Sequence, residues 1–531
     1  MCKNIKIINM KKILICLLSL IVSGVNAQFW TGTNYRGAFP VTDGTPSTDW
    51  TYGWSNFDPE NTSYPLATTT LSSDITSNTT LSGVVLLENK VYVTNNSILT
   101  ILPGTIIRGD YSTQGTLIIT KGSSIIADGT QANPIVFTSN EDVGNRAEGD
   151  WGGLVLLGQA VNNQPGGVVN IEGIAPTANT QFGGTNDQDN SGILRYVRVE
   201  FAGIPLEPNK EINGVTFGSV GSGTLVDYVQ VSFSGDDSFE WFGGTVNCKH
   251  LIAYRGIDDD FDTDFGYRGK VQFGLAIRDN TRYDAAGASN AFESDNDATG
   301  SSNTPKTAAI FSNITVVGAL GDGTQVLPTG ETFEKAFRLR RNTSLSIFNS
   351  IATGWEQGLS IEGTAAESNV SSNSLVFANN SLVGVVSNCI TASPTFYGNF
   401  FSTNQNDSTL TTSDINWVNI FTTLGTTPDA RLNASSLVAT SADFSSPKFD
   451  GEVSVREVVD NIKVTVYPNP ANEMLNITGD GKMSIKLYNP IGQVISTSQV
   501  WNITQLDISD LSNGIYTIQI NNTLTKRVII Q

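Results

Sequence analysis

The stretches YVRVEFAG (Tyr196–Gly203) and YVQVSFSG (Tyr228–Gly235) are two spellings of one pattern. In each, Val-x-Val-x-Phe alternates with polar residues, the period of a strand with one buried face. Short runs of Val, Ile and Leu recur through most of the chain between Gly, Asn, Thr and Ser, and helical periodicity is nearly absent. Upstream, LTILPGTIIRG from Leu99 and LIITKGSSIIADG from Leu117 align Leu99 with Leu117, Ile101 with Ile119 and Gly104 with Gly122. One added residue then brings Ile106 onto Ile125, and PIVFTS from Pro134 and GLVLLG from Gly153 continue at a similar step. A fixed step of roughly 20 residues, holding several short strands, predicts a β-solenoid whose stacked coils bury continuous apolar columns. A sandwich would also alternate, but it would not align glycines and aliphatics at a fixed step.

The predicted fold is all-β: a right-handed parallel β-helix over residues 76–445, followed by a small C-terminal β-sandwich over 461–531. Residues 28–75, rich in Trp, are expected to form an N-terminal cap over the open first coil, whose backbone groups would otherwise stay unpaired. A polar linker is expected at 446–460.

The same register brings two acidic loops together, GDDSFEWFGG (Gly235–Gly244) and DDDFDTDFG (Asp258–Gly266). Setting Tyr228 on His250 places Val229 on Leu251, Val231 on Ala253, Asp236 on Asp258, Asp237 on Asp259, Phe239 on Phe261 and Glu240 on Asp262. Neighbouring strands lie about 4.8 Å apart. Two carboxylates at that distance repel by about 3.5 kcal/mol at an effective dielectric near 20, and by under about 1 kcal/mol in open water. A hard cation removes this cost, and calcium takes six to eight oxygens in flexible geometry. The expected calcium ligands are Asp236, Asp237, Glu240, Asp258, Asp259, Asp260, Asp262 and Asp264, with Asp295 and Asp297 of FESDND on the same flank. The competing reading is a solvated acidic face partly neutralised by Lys249, Arg255, Arg268 and Lys270. Neither loop matches the EF-hand or a nonapeptide calcium repeat.

Composition narrows the chemistry. The net charge of −19, from 50 acidic and 31 basic residues, argues against nucleic acid and anionic membrane surfaces as partners. A single histidine, His250, excludes an HExxH protease and zinc held by several His ligands. It is expected in an outward column with Tyr196 and Tyr228. Lys11 and Lys12, the apolar run Ile13–Val22 and the small residues Val25-Asn26-Ala27 read as a signal peptide over 1–27, implying an exported protein. No later run is long and apolar enough to span a membrane. Beyond the signal only Cys248 and Cys389 remain, so there is no disulfide framework, and whether they pair is open. Arg338 and Arg340 of FRLRRN alternate outward around Leu339; they either grip an acidic sugar or pair with Glu331, Glu334 or Glu356. Trp151, Trp241 and Trp355 either stack on sugar rings or pack internally.

From Lys463 the text changes to VTVYPNPANEMLNI, IKLYNPIGQVI, LDISDLSNGIYTIQI and TKRVIIQ, short alternating strands between turns. This stretch resembles the type A C-terminal sorting domain of type IX secretion cargo, through Tyr467-Pro468-Asn469-Pro470, Gly492-Gln493, Leu511, Gly514-Ile515-Tyr516 and Lys526-Arg527-Val528. The resemblance implies that the type IX machinery engages residues 461–531, that the chain crosses the outer membrane, and that this domain is removed. Release or attachment to surface lipopolysaccharide would follow. The body resembles a family of exported β-helix proteins without an established activity, through NYRGAF at Asn34, GDWGGLVLLG at Gly149, LRYVRVEFAG at Leu194 and FEWFGGTVN at Phe239. That resemblance supplies no catalytic residues. The expected function is binding or scaffolding of extracellular glycan or another surface component. The alternatives are a calcium-dependent polysaccharide lyase or glycoside hydrolase, working through the acidic loops or Arg338 and Arg340, and an adhesin. Oligomeric state is left open by the sequence.

Overall fold

A computed structural model describes residues 29–45, 49–207, 210–285, 287–385, 388–391, 403–422, 426–439, 441–449, 453–455, 465–467, 470–489, 493–520 and 524–530. The expected signal peptide lies outside these residues. Two compact units divide the chain, Met1–Ser454 and Val455–Gln531.

In the first unit the alternation of the opening stretches becomes parallel pairing. Strand Gly192–Glu200 lies on Leu225–Ser232, then Asn247–Tyr254, Lys270–Ile277 and Ile310–Val317, all parallel. Val199, Val231, Ala253, Ala276 and Val316 form one column of this sixteen-stranded sheet. A ten-stranded sheet makes the opposite wall, and its inward column runs Val91, Leu117, Leu154, Val215, Phe239, Phe261, Phe292, Phe337 and Leu359. Both columns belong to one buried cluster between the walls, so the fold is a parallel β-helix.

The expected alignment of Leu99 with Leu117 does not hold. Leu99 stacks on Ile125 in the long sheet, whereas Leu117 stacks on Val91 and Leu154 in the other. Each coil contributes an aliphatic-x-aliphatic run to each wall, and matching consecutive runs joins one wall to the other. The step between true equivalents ranges from 16 residues, Thr69 to Val85, to 67, Ile126 to Ile193.

In later coils the long sheet turns a corner through one left-handed residue. Tyr196, Tyr228, His250, Phe273, Asn313, Asn349 and Asn379 occupy this position with φ between 48° and 68° in every case. Asn tolerates that conformation, while bulky residues are strained by roughly 1–2 kcal/mol. The four rings offset the strain by stacking, with centroids 4.5, 4.3 and 5.1 Å apart from Tyr196 through His250 to Phe273. His250 is therefore a covered rung rather than a surface residue; its Nδ1 lies 2.7 Å from Asp227 Oδ1 and Trp50 packs 5.2 Å away.

The N-terminal segment does not close the end of the stack. Thr31 N donates to Gln272 Oε1, Arg36 Nη1 to Ser381 Oγ, Asn56 N to Gln230 Oε1, and Arg108 donates to Pro65 O. Residues 29–45 and 49–65 thus form a strap along the outer face of the long sheet. Trp54, 1 % exposed, and Phe39 are sealed beneath it with Phe201, Phe233 and Leu275. Residues 417–422 and 426–432 add to the same cover through Ile420 and Ala430. The open end needs no separate lid because the first coil, LATTTLSSDITSNTTLSG (66–83), is rich in Ser and Thr that water can solvate.

Phe449 is fully buried against Trp30 and Phe348, so packing of the β-helix continues into the stretch expected as linker. Trp151, Trp241 and Trp355 are at most 1 % exposed and pack in the core; none is placed to stack on a sugar. Cys248 is a buried free thiol, and the side chain of Cys389 lies outside the described residues. The second unit is a five-stranded antiparallel sheet, built around the long strands Met474–Tyr488 and Val494–Asp507. Leu475, Ile477, Met483, Ile485, Tyr516, Ile518 and Val528 form its own core.

Candidate functional site

The site grows from the ten-stranded sheet. Phe239, Phe261, Phe292 and Phe337 point into the core, so the next residue of each strand points out. The outward column is Thr216, Glu240, Asp262, Glu293, Arg338 and Ser360. Two residues before each phenylalanine a second ladder runs through the loops. Asp237 Oδ1 accepts Asp259 N at 2.8 Å, Asp259 Oδ1 accepts Asn290 N at 2.6 Å, and Asn290 Oδ1 accepts Lys335 N at 3.2 Å. A neutral amide and two carboxylates therefore do the same structural work. Close backbone packing holds the loop: a Cβ on Gly203, which has φ +97°, would lie 2.5 Å from Gly235 N.

These ladders bring carboxylate oxygens into three triads, each with its atoms within 4.8 Å of one another: Asp236, Asp237 and Asp258; Asp237, Glu240 and Asp262; Asp259, Asp262 and Glu293. Opposite ligands of a calcium ion stand about 4.6–5.2 Å apart, twice the usual bond length, so a triad fits one such ion. Asp237, Glu240 and Asp259 are buried, and Asp262 is half-buried. Burial first, and then the surrounding carboxylates, hold Asp237, Glu240, Asp259 and Asp262 well above the usual carboxylate range. Glu293 is pushed up to about 8 by burial and by Asp259, although Arg340 and Arg338 oppose the rise.

Three of the four cations expected to neutralise the loops are committed elsewhere. Lys249 donates to Thr31 and covers the Phe29 ring, Arg255 pairs with Asp279, and Arg268 pairs with Asp187. Among the described residues no ion pair reaches Asp237, Glu240, Asp259 or Asp262.

Six of the eight expected ligands enter the triads; Asp260 and Asp264 do not. Asp260 is fully buried against Arg278, 3.0 Å away, and its carboxyl is pushed up to about 7 by burial despite that arginine. Asp264 accepts Phe265 N at 2.6 Å and lies outside every triad. Asp295 pairs with Arg340 at 3.0 Å and Arg341 at 2.7 Å, and Asp297 accepts from Thr299 and Ser301. Glu293 is the member of the triads that the sequence reading missed. Its signal is the match of Phe261-Asp262-Thr263-Asp264 with Phe292-Glu293-Ser294-Asp295, one coil on. Arg338 and Arg340 do face outward, but they pair with Glu293, Glu362 and Asp295 rather than Glu331, Glu334 or Glu356.

A stack of parallel coils around one apolar core, with a strongly acidic patch on one outer wall, defines a parallel β-helix. The chain belongs to the family described as the pectate-lyase-like β-helix domain, which matches residues 72–422. Residues 465–531 match the secretion system C-terminal sorting domain, so the chain is a cargo of the type IX secretion system, delivered to the cell surface. No curated protein matches the chain. Among the described residues no helix is long and apolar enough to cross a membrane.

Proposed function

We propose that this surface-delivered β-helix binds or scaffolds extracellular glycan or another surface component, with calcium joining its acidic coils. One observation carries the reading: Asp237, Glu240 and Asp262 share a close-packed site on successive coils that no ion pair among the described residues neutralises. Oxygen donors alone, held on rigid strands, select a hard cation over zinc or copper.

A second reading, a calcium-dependent polysaccharide lyase, is favoured by Glu293 standing between Asp262 and Arg338 in one outward column. Acidic and basic groups then share one face. Against it, Arg338 and Arg340 already hold carboxylates of the protein and would have to exchange them for substrate.

The test is calorimetric titration of the full chain with calcium, beside the Asp237→Asn plus Asp259→Asn double variant. Asn290 fills the equivalent rung in a neighbouring coil, so the substitutions keep the backbone ladder and remove only charge. Heat in the native chain that the variant loses supports the site; no heat and no change in melting temperature removes the calcium reading. Glycan arrays with calcium present then separate the alternatives. Retention without shortened products supports a scaffold or adhesin, and new chain ends support a lyase.

A further inference from the structure

Where strands Lys270–Ile277 and Ile310–Val317 end side by side, the chain leaves the long sheet and a cavity of about 330 Å³ opens. Ile277, Val317, Ala319 and Ile420 give it a buried apolar base, and Phe421 lines it with a half-buried ring. A Cβ on Gly321, which has φ +60°, would lie 3.2 Å from Gln325 Cγ and 3.9 Å from Phe421 Cδ1, so glycine keeps room between them. The polar lining supplies both donors and acceptors. Arg255, nine-tenths buried, pairs with Asp279, yet its Nε is left without an acceptor, so the five-donor guanidinium is under-used. Asn280 spends its amide N–H on Val326 O at 3.2 Å, and Asp322 Oδ1 accepts Thr324 N at 3.0 Å; Asn280 Oδ1 and Asp322 Oδ2 remain as acceptors. Gln325, exposed on the rim, adds an amide that both donates and accepts. Charge is nearly balanced. Arg255 pairs with Asp279 and Arg278 with Asp260, which leaves Asp322 as the one lining charge outside an ion pair among the described residues. An anion gains nothing there, whereas a hydroxyl, which donates and accepts at once, matches the mixed lining.

We propose that this cavity binds the end of a neutral oligosaccharide, with one sugar ring laid against Phe421 and its hydroxyls bonded to Arg255, Asp322 and Gln325. An aromatic face beside a few convergent polar groups suits a ring that is apolar on its C–H face and polar at its edge. The volume lies near the low end of the roughly 300–1,000 Å³ of small-molecule sites, which fits a chain end rather than a long stretch of polymer. This deepens the glycan reading above and rests on it. No carboxylate of the three triads lines the cavity, so binding here is independent of calcium.

An array of neutral and acidic oligosaccharides, probed with the full chain in calcium and again in chelator, tests the cavity. The native chain is expected to be retained on neutral oligosaccharides equally in both buffers. Phe421→Ala should weaken that retention about tenfold, and Gln325→Ala about threefold. Undiminished retention in either variant, with melting temperature unchanged, overturns the cavity and leaves the glycan reading intact. Retention confined to acidic glycans and lost in chelator does the same, and moves the ligand to the acidic wall. Retention of no glycan overturns both. If Phe421→Ala melts lower because the cover has loosened, Gln325→Ala, altered only at an exposed side chain, decides alone.

Discussion

The long sheet and the ten-stranded sheet share one core and differ in what covers their outer faces. Outside the long sheet, a column of left-handed corner residues is roofed by the N-terminal strap and by residues 417–422 and 426–432, and the rungs are aromatic rings and asparagines. Outside the ten-stranded sheet, the rungs from Glu240 through Asp262 to Glu293 are carboxylates. Stacking amplifies whatever the rung is. Aromatics and amides repeated every coil attract one another, whereas charges of one sign repeated every coil repel. The first wall is thus complete as folded, and the second calls for a counter-charge.

That contrast can be broken experimentally, and the largest effect is expected on the roofed wall. Trp54→Ala removes a fully buried ring that edges onto Tyr196 and Tyr228, and is expected to cost about 3–5 kcal/mol, read as a lowered denaturant midpoint. Calcium should leave that loss unchanged. On the acidic wall, calcium at a hundred times its Kd should add about 2.7 kcal/mol, seen as a higher melting temperature. The Asp237→Asn plus Asp259→Asn variant should lose that gain. A melting temperature that rises equally in the variant would put the ion elsewhere.

With chelator present, pH supplies a third test. Glu293, ordinarily near 4.5, is raised to about 8 in the folded chain, and Asp260, ordinarily near 3.8, to about 7. The folded state then holds protons that the unfolded state releases, so their contribution is full below about pH 4 and fades as pH climbs towards 8. Melting temperature in chelator should therefore fall between pH 5 and pH 8, and calcium should flatten the fall. A rise over the same interval would contradict the assigned burial. The smallest effect belongs to Arg338→Gln. Its ion pairs with Glu293 and Glu362 are partly exposed, so about 1 kcal/mol is expected at low salt, shrinking at high salt.

What was legible in the sequence followed uninterrupted register. Tyr228 to Glu240 maps onto His250 to Asp262 without a gap, and every pairing inferred there that falls within a strand is present in the sheets. Legibility failed where coils differ in length. Glu293 lies beyond an insertion between Ile277 and Phe292 that breaks the count, and Leu99 was matched to the wrong wall because both walls carry the same aliphatic spelling. The strap was invisible for another reason. Its contacts join residues up to 345 positions apart, as Arg36 to Ser381 shows, and no local pattern encodes which surface a Trp-rich segment will cover. Partners of Arg338 and Arg340 were likewise misassigned, since nearby glutamates in sequence are not neighbours across coils.

The strap also changes how the stack must come apart. A solenoid in which each coil touches only its neighbours is quasi-one-dimensional, and its ends can fray one coil at a time. Here one short segment is bonded to the coils at Arg108, Gln230, Gln272 and Ser381. Early and late coils share a fastening, so loosening either end releases contacts at the other. Because that fastening joins residue 36 to residue 381, it closes only after nearly the whole β-helix has been laid down. The last step of assembly is then the one that makes the coils unfold together.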